Sequence, residues 1–283
     1  LSRANLRGAT LLGTCLKDAN LFGANLEEAE CSGADFTGAL LRGVRAQRAG
    51  FGMAQLEGAS FALAELEGAS FTSANLNGAD FSGVRARSVR FSNADLCGAR
   101  FEAADLQEAD LSDAQVSGAT FRRSDLRNAS LRGVRGYTSA DWIDVDVRDT
   151  NFSGAHLCRR YILDQNYLQE FKSQGTFAKI VYWIWFATSD CGRSLLRWAL
   201  WTIALASAFG ALYTQVHIEY ANEETWLSPF YFSVVTLTTL GYGDAVPVGA
   251  AAQSIAMMEV VLGYMMLGGV LSIFSNKMAR RAD

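Results

Sequence analysis

Residues 54–81 read AQLEGASFALAELEGASFTSANLNGADF, and a large apolar residue recurs in this stretch at every fifth position. The residue two places before each of these is Ala, as at Ala54 and Ala59. A period of five fits neither a helix nor a flat strand. It fits a coil whose every side is one pentapeptide, with the small and the large side chain inside and the other three residues facing water. The rhythm runs from Leu1, so we predict one coiled domain over residues 1–157 of a chain that begins further upstream.

Two further regularities define the coil. Phe takes alternate large positions from Phe51 to Phe101 and Leu takes many of those between, which requires an even number of sides. Gly recurs two places after many large residues, as at Gly38 and Gly43, where the chain must turn a corner. This pattern resembles the pentapeptide-repeat family. The resemblance implies a right-handed quadrilateral β-helix with twenty residues in each coil.

Twenty-residue coils predict which side chains stack. An interior aromatic ladder is expected at Phe61, Phe81, Phe101 and Phe121, and an exterior ladder at Arg45, Glu65, Arg85 and Asp105. Near Gly133 to Tyr137 the phase slips by one residue, which we interpret as a bulge or a widened corner.

The β-helix carries no motif of catalysis. Some relatives in the pentapeptide-repeat family mimic DNA and inhibit topoisomerases, but mimicry needs a continuous acidic surface. Here basic residues such as Arg42, Arg45 and Arg48 interleave with the acids, so cross-coil charge ladders on a solvated face and no nucleic-acid partner are expected. The five scattered cysteines form no CxxC pair and are interpreted as reduced packing residues rather than zinc ligands. We predict a non-enzymatic scaffold with room for a cytoplasmic protein partner.

Residues 158–192 are predicted to connect this scaffold to the rest of the chain. A polar helical segment over 158–176 is followed by apolar residues at helical spacing, Phe177, Ile180, Val181 and Ile184, with further aromatic residues between them. This run is too short to span a bilayer. An amphipathic helix lying in the membrane interface fits better than the alternative, a soluble core helix.

Residues 193–283 differ from the repeats. A content of 50% hydrophobic residues and a net charge of −4 would describe an ordinary soluble protein, but that average hides a membrane-like second half. Uncharged residues over 198–216 and an apolar run over 250–274 are each long enough to cross the hydrocarbon layer. The segment between them is too polar to cross. Non-helical backbone at membrane depth is tolerated only where protein buries it or where it lines a water-filled path.

That segment ends in TTLGYGD, residues 238–244. Placed after a candidate pore helix over 228–238 and between two spans, it resembles the pore signature of the tetrameric potassium channels. The resemblance implies that four copies of loop 239–243 form the selectivity filter. Backbone carbonyls would bind K⁺ in place of its water, with no cofactor; they come from Thr239, Leu240, Gly241 and Tyr242. Gly243 and Gly241 allow the required backbone, Tyr242 braces the loop against Phe232 and Tyr231, and the supporting residues are Thr236, Thr238 and Asp244.

The chain departs from the commonest pattern at two positions. Leu240 replaces Val, which leaves the carbonyl ring intact. Val235 stands where some relatives carry a Glu that pairs with the filter Asp, so Asp244 is expected to be freer.

The second span carries the candidate cavity and gate. Gly263, Leu267 and Leu271 share one helix face, which we predict to face the cavity. Phe274 is a candidate constriction, with packing against lipid as the alternative. Glu259 is the one acid inside this span, and an intramembrane carboxyl must pair or meet water. We predict that it faces the pore helix and is held by hydroxyls such as those of Thr236 or Thr238, against a cavity-lining role that attracts cations.

Flanking charges predict the orientation. The basic residues before the first span are Arg159, Arg160, Lys172, Lys179, Arg193 and Arg197, and those after the second are Lys277, Arg280 and Arg281. The loop between the two spans carries the acids Glu219, Glu223 and Glu224. Both ends are therefore expected in the cytoplasm. His217 and the loop acids are interpreted as solvated turret residues, with weak cation focusing as the alternative. The sequence predicts a homotetrameric potassium channel in a lipid bilayer, with a weakly selective cation channel and a membrane-tethered scaffold as alternatives.

Overall fold

The computed structural model describes residues 1–192, 194–221 and 223–282, with side chains up to Ser275. The chain divides into two compact units, Leu1–Glu170 and Phe171–Asp283. Arg193 and the side chains of Lys277, Arg280 and Arg281, which entered the orientation argument, lie outside the described residues.

Parallel backbone bridges every five residues build the first unit. Each bridge joins residues twenty apart, from Asn5 with Asn25 to Gln115 with Arg135, so the predicted four-sided coil is confirmed. Within each pentapeptide a turn closes on the large apolar residue, as where Ala24 N–H donates to Leu21 O at 2.9 Å. The third residue of the turn has a positive φ, whether it is Gly58 at 65° or Met53 at 55°. Glycine is therefore frequent at the corners because it adopts this conformation without strain, but a corner does not require it.

Aromatic and aliphatic ladders fill the interior. The rings of Phe61, Phe81, Phe101 and Phe121 stack at centroid spacings of 5.0 Å, as predicted. Trp142 continues the ladder at 4.4 Å. Phe51, Phe71 and Phe91 form a second ladder that meets the first edge to face. The alanines and large residues of the middle coils are fully buried. Burial on this scale is the main source of stability of the unit.

The phase slip is a single extra residue at one corner. Tyr137–Ser139 form a 3-10 turn, and beyond it the bridges join residues 21 apart, as for Thr120 with Asp141. The coil absorbs the insertion and continues, so of the two predicted forms, a bulge or a widened corner, the structure has the widened corner.

Helix α1, His156–Ser173, covers the last coil. Gln165 accepts from Trp142 N–H at 2.7 Å, and Asn166 accepts from Asp144 N–H at 2.7 Å. Tyr161 donates its hydroxyl to Thr138 O at 2.7 Å. These bonds satisfy strand groups that a further coil would otherwise pair, and an end cap of this kind is what a repeat fold requires. The first compact unit therefore extends to Glu170, past the domain limit of 157 that periodicity gave.

Charges on the outside of the coils pair across neighbouring coils. Glu65 lies 3.9 Å from Arg45 and 3.4 Å from Arg85, so the predicted exterior ladder alternates in sign. Both Cys31 and Cys158 are buried free thiols, and burial raises the pKa of each to about 12. They pack in the interior as neutral thiols.

The second unit is helical. Its elements are α2 Thr176–Ser189, α3 Leu195–Tyr213, β1 Ile218–Tyr220, α4 Ser228–Leu237, β2 Ala245–Pro247 and α5 Ala250–Ala282. Two helical segments, Leu195–Tyr213 and Ala250–Ser275, are long and apolar enough to cross a membrane, with mean hydropathies of 1.5 and 1.8. Helix α3 begins three residues before the predicted span, because Ser194 caps it by accepting from Arg197 N–H at 3.2 Å.

Helix α2 presents an aromatic surface. Phe177, Trp183 and Ile184 are exposed. The Lys172 ammonium lies 5.2 Å from the centroid of the Tyr182 ring and 5.4 Å from that of the Trp183 ring. Aromatic residues with a neighbouring cation are typical of a helix at the membrane interface, and the position of α2 in that interface stays a prediction.

Candidate functional site

The candidate filter loop begins where α4 ends. Pro229 occupies the first turn of this helix, where its missing N–H is not needed. At the other end Thr238 N–H donates to Val234 O and Leu240 N–H donates to Val235 O, both at 3.0 Å. These bonds close the helix, and the chain leaves it in an extended loop that reaches β2.

The loop alternates between two backbone conformations. Thr239, Gly241 and Gly243 have φ values of 57°, 52° and 78°, whereas Leu240 and Tyr242 between them are outside the left-handed region. Alternation of this kind turns successive peptide planes the same way, so N–H groups collect on one side and carbonyls on the other. The positive φ predicted for the two glycines is observed. Thr239 is the surprise, since a β-branched residue is rarely found there and is held only by its surroundings.

Asp244 is fixed at the outer end of the loop. The Tyr231 hydroxyl donates to its Oδ2 at 2.7 Å, and Ala221 N–H donates to its backbone carbonyl at 2.8 Å. The expectation that Asp244 is freer because Val235 cannot pair with it is therefore wrong. An aromatic hydroxyl of the pore helix takes the place of the missing carboxyl.

Antiparallel strands β1 and β2 support the same end. Ile218 pairs with Pro247 and Tyr220 pairs with Ala245. Glu219, interpreted as a solvated turret residue, is exposed, but it is part of strand β1 rather than of a loop. Apolar residues at alternating positions were too few to reveal so short a strand.

The predicted brace of Tyr242 against the pore-helix aromatics is not formed within the chain. Tyr242 is 67% exposed. Phe232 instead packs edge to face on Tyr213, at 4.8 Å between centroids, and Tyr231 bonds to Asp244.

Glu259 is fully buried between three helices. The Tyr213 hydroxyl of α3 donates to its Oε2 at 2.7 Å. Ser233 of α4 contacts its Oε1 and also lies 2.8 Å from the Ala206 carbonyl of α3. Glu259 therefore faces the pore helix as predicted, but its partners are not Thr236 or Thr238. The Thr238 hydroxyl donates to Val234 O at 2.6 Å instead.

The register of α4 against α5 explains this correction. A Cβ at Gly263 would collide with the carbonyl oxygen of Leu237, so these two residues are in direct contact. Four residues earlier on each helix stand Glu259 and Ser233. The contact between Glu259 and Ser233 therefore lies one helical turn before the contact between Gly263 and Leu237. Thr236 and Thr238 lie further along α4, nearer to the candidate filter loop.

The predicted cavity face of α5 lies close to the same contact. Gly263 packs against the carboxyl end of α4 and also borders open space. An open recess nearby is lined by Thr202, Leu237, Thr238, Thr239, Gly263, Met266, Leu267 and Val270. Leu267 thus lies near the base of the loop, while Leu271 and Phe274 are exposed on the remainder of α5.

Sequence reasoning missed Tyr213 and Ser233. Each is a hydroxyl-bearing residue within an apolar helix, and a buried acid in a neighbouring span is the signal that points to such partners. In the part of the chain that the structure describes, no three His, Cys, Asp or Glu residues are grouped as metal ligands.

Comparison with known proteins identifies both units. Residues 198–280 match the family model described as "Ion channel". Residues 54–131 match that of the pentapeptide repeat region, and residues 1–23 and 24–62 match pentapeptide repeats. The calcium-gated potassium channel TvoK of Thermoplasma volcanium is 30% identical over 73 residues, 26% of this chain and 21% of that protein. The inward rectifier potassium channel Kirbac3.1 of Paramagnetospirillum magnetotacticum is 29% identical over 100 residues, 35% and 32% of the two chains.

Among solved structures, HetL, a pentapeptide repeat protein of the cyanobacterium Nostoc sp. involved in heterocyst differentiation regulation, is 28% identical. The likeness covers 53% of this chain and 77% of HetL with a TM-score of 0.32. The chain spans about a third or less of the length of the two curated relatives. The chain thus joins a pentapeptide-repeat β-helix to a region that matches an ion-channel family and is similar to potassium channels, and its described residues hold two helical segments long and apolar enough to span a membrane. Neither of the matched families is enzymatic.

Proposed function

We propose that this ion-channel domain is one subunit of a homotetrameric, potassium-selective channel that conducts K⁺ passively across a membrane. The observation that carries the proposal is the left-handed backbone at Thr239, Gly241 and Gly243, alternating with other conformations at the two residues between. This alternation supports a row of carbonyls on one side of the loop, at the end of a short helix and between two spans.

Four such rows around one axis would form the ion sites. The carbonyls of Thr239, Leu240, Gly241 and Tyr242 replace the water of a dehydrated K⁺, and the Thr239 hydroxyl adds the innermost ring. Helix α4 points its carboxyl end toward the base of the loop, where the partial negative charge of the helix dipole favours a cation. K⁺ is the permeant ion, and the channel uses no cofactor.

Exposure of the loop favours an assembly. Leu240 is 59% exposed and Tyr242 is 67% exposed in the single chain. Large apolar side chains beside an ion path are stable only when protein covers them. Neighbouring subunits would supply that cover, and Tyr242 would then brace the loop across the subunit boundary rather than within one chain.

The cavity and gate follow from the same arrangement. Leu267 and Leu271 line the cavity below the filter, and Phe274 forms an apolar constriction. Replacing Leu267 or Leu271 with Ala should weaken block by a quaternary ammonium ion applied from the cavity side, as measured by flux. Unchanged block in both variants would contradict this facing.

Both chain ends lie in the cytoplasm in this proposal, with α2 in the membrane interface. The β-helix then serves as a cytoplasmic scaffold that aids tetramer assembly or docks a protein partner. A continuous buried core and stacked side chains hold its coils together, which argues against a hinge motion driven by ligand binding within it.

Reconstitution of the purified full-length protein in liposomes tests the proposal. In opposed K⁺ and Na⁺ gradients the reversal potential should follow the K⁺ gradient, and the detergent-solubilised particle should contain four chains. A reversal potential that follows both ions would favour a weakly selective cation channel. No flux from a folded tetramer would favour a membrane-tethered scaffold.

A further inference from the structure

We infer that Glu259 is a proton-binding site: its carboxyl is held as the neutral acid at neutral pH, and its proton completes a hydrogen-bond chain that locks α3, α4 and α5 together behind the filter loop. Glu259 is then a positioning residue for the ion path. The inference deepens the proposed function, because it names a group that sets the pore helix in place.

The hydroxyl hydrogens around Glu259 are too few for an ionised carboxyl. Ser233 Oγ contacts two oxygens, Glu259 Oε1 and the Ala206 carbonyl. A serine hydroxyl has one proton and cannot donate to both. If the carboxyl were ionised, it would take that proton, and Ser233 Oγ would face the Ala206 carbonyl oxygen at 2.8 Å with no hydrogen between them. A protonated carboxyl removes the conflict, since Glu259 then donates to Ser233 and Ser233 donates to Ala206 O.

The other carboxyl oxygen is satisfied in the neutral form. Tyr213 donates to Oε2, and this oxygen needs no second donor when the acid is uncharged. Within the described residues, the polar side chains in contact with the carboxyl are thus the uncharged hydroxyls of Tyr213 from α3 and Ser233 from α4. All three residues are at most 2% exposed. A buried carboxylate with no counter-charge is unstable at membrane depth, so these uncharged surroundings also favour the neutral acid.

The chain of bonds runs through three helices. It begins at Tyr213 of α3, crosses Glu259 of α5 and Ser233 of α4, and returns to Ala206 of α3. One turn further along α4 and α5, Gly263 contacts Leu237 immediately before the filter loop. Loss of the proton would break the Ser233 to Ala206 bond and loosen α4 against α3.

Infrared difference spectroscopy of the full-length protein at neutral pH tests this directly. The substitution removes only this carboxyl, so the spectrum of wild type minus Glu259→Gln should contain the C=O band of a protonated carboxylic acid. A difference spectrum with only carboxylate bands would overturn the inference.

Matched variants give a second test that does not require conduction. Gln presents the same shape, with an amide N–H to donate to Ser233 and a carbonyl to accept from Tyr213, so Glu259→Gln should keep the thermal midpoint of the full-length protein. Glu259→Leu removes both bonds and should lower the midpoint. A Gln variant that fails to fold, or melts as low as the Leu variant, would also overturn the inference. Because the spectrum and the midpoint are independent of flux, these outcomes remain separate from a failure of the proposed channel function.

Discussion

The two units of this protein bury their apolar residues in opposite ways. In the β-helix, Phe81 and Leu96 are fully buried, and backbone groups of one coil bond to the next. In the channel domain, Leu196 is 72% exposed and Met265 is 65% exposed. The first unit is stabilised by contacts within one chain, whereas the second presents apolar surface that lipid and, in the proposed channel, neighbouring subunits would cover.

This difference predicts two kinds of sensitivity. A substitution inside the β-helix should act on the free energy of unfolding of that unit. A substitution in the filter loop should act on the property that four chains create together, with little effect on the fold of one chain. The predictions that follow test this separation, beginning with the largest effect.

Replacing Gly241 or Gly243 with Ala should abolish selective K⁺ conduction. In the chain a Cβ at either position meets no atom within 4 Å, so the effect comes from the backbone rather than from a clash. Holding a residue with a Cβ in the left-handed region is unfavourable by roughly 1–2 kcal/mol, and four copies would suffer it in one ring. The reversal potential in liposomes with opposed K⁺ and Na⁺ gradients measures the loss.

Gly249→Ala is the matched control for that experiment. Gly249 has a φ of 87° and also has open space around its Cβ position, but it lies beyond the loop. It should carry similar backbone strain and retain K⁺ selectivity. Equal loss in this control, or undiminished selectivity in both filter variants, would contradict the carbonyl-ring argument.

Replacing Phe81 with Ala should destabilise the β-helix by about 3–5 kcal/mol, the usual effect of removing a buried aromatic ring. Phe81 lies between Phe61 and Phe101 in the interior ladder, at 5.0 Å from each centroid. Denaturant unfolding followed by the circular dichroism of the β-structure measures the change. Leu63→Ala, at an exposed position of a neighbouring coil, should have little effect. An equal response of the two variants would mean that the ladder does not carry the stability of this unit.

Acid should weaken the β-helix by a smaller amount. The Arg127 side chain, hydrogen-bonded to Asp125, holds the pKa of that carboxyl below its ordinary value of 3.8. Arg148 lowers the pKa of Asp146 in the same way. A lowered pKa in the folded state means stability that is present above the ordinary value and is lost as the pH falls through the folded value.

The thermal midpoint of the β-structure should therefore fall as the pH drops below about 4. The double variant Asp125→Asn and Asp146→Asn should show a flatter dependence. Because both carboxyls are partly exposed, at 27% and 31% of the side chain, salt should reduce the difference between the two proteins. A steeper dependence in the double variant would contradict the assigned cause.

Periodicity is sufficient to predict the β-helix because each side chain's environment repeats every five residues. The ladder through Phe81 and the extra residue near Tyr137 both follow from counting. The cap formed by α1 does not follow from counting, because Gln165 and Asn166, which bond to the last coil, lie outside the five-residue repeat.

The candidate filter loop could be located from one motif, but the side chains that support it could not. Tyr231 bonds to Asp244 thirteen residues away, and Glu259 bonds to Tyr213 across 46 residues. Such pairs depend on how helices pack, which single-sequence patterns do not contain. The positive φ of Thr239 could not be predicted either, because β-branched residues rarely adopt it.

Removing the β-helix should leave K⁺ selectivity unchanged, the smallest effect expected here. The position of the cut matters, because α1 belongs to the first compact unit, which ends at Glu170. Deleting residues 1–157 would expose Cys158 and Ile162, which are buried in the intact protein, and should promote aggregation. Deleting residues 1–170 removes the whole unit, so the reversal potential of this variant should equal that of the full-length protein in the same bilayers. Loss of selectivity would contradict an independent pore. Unchanged selectivity with an altered open probability would instead assign the β-helix a role in gating, transmitted along the chain that enters α2 and then α3.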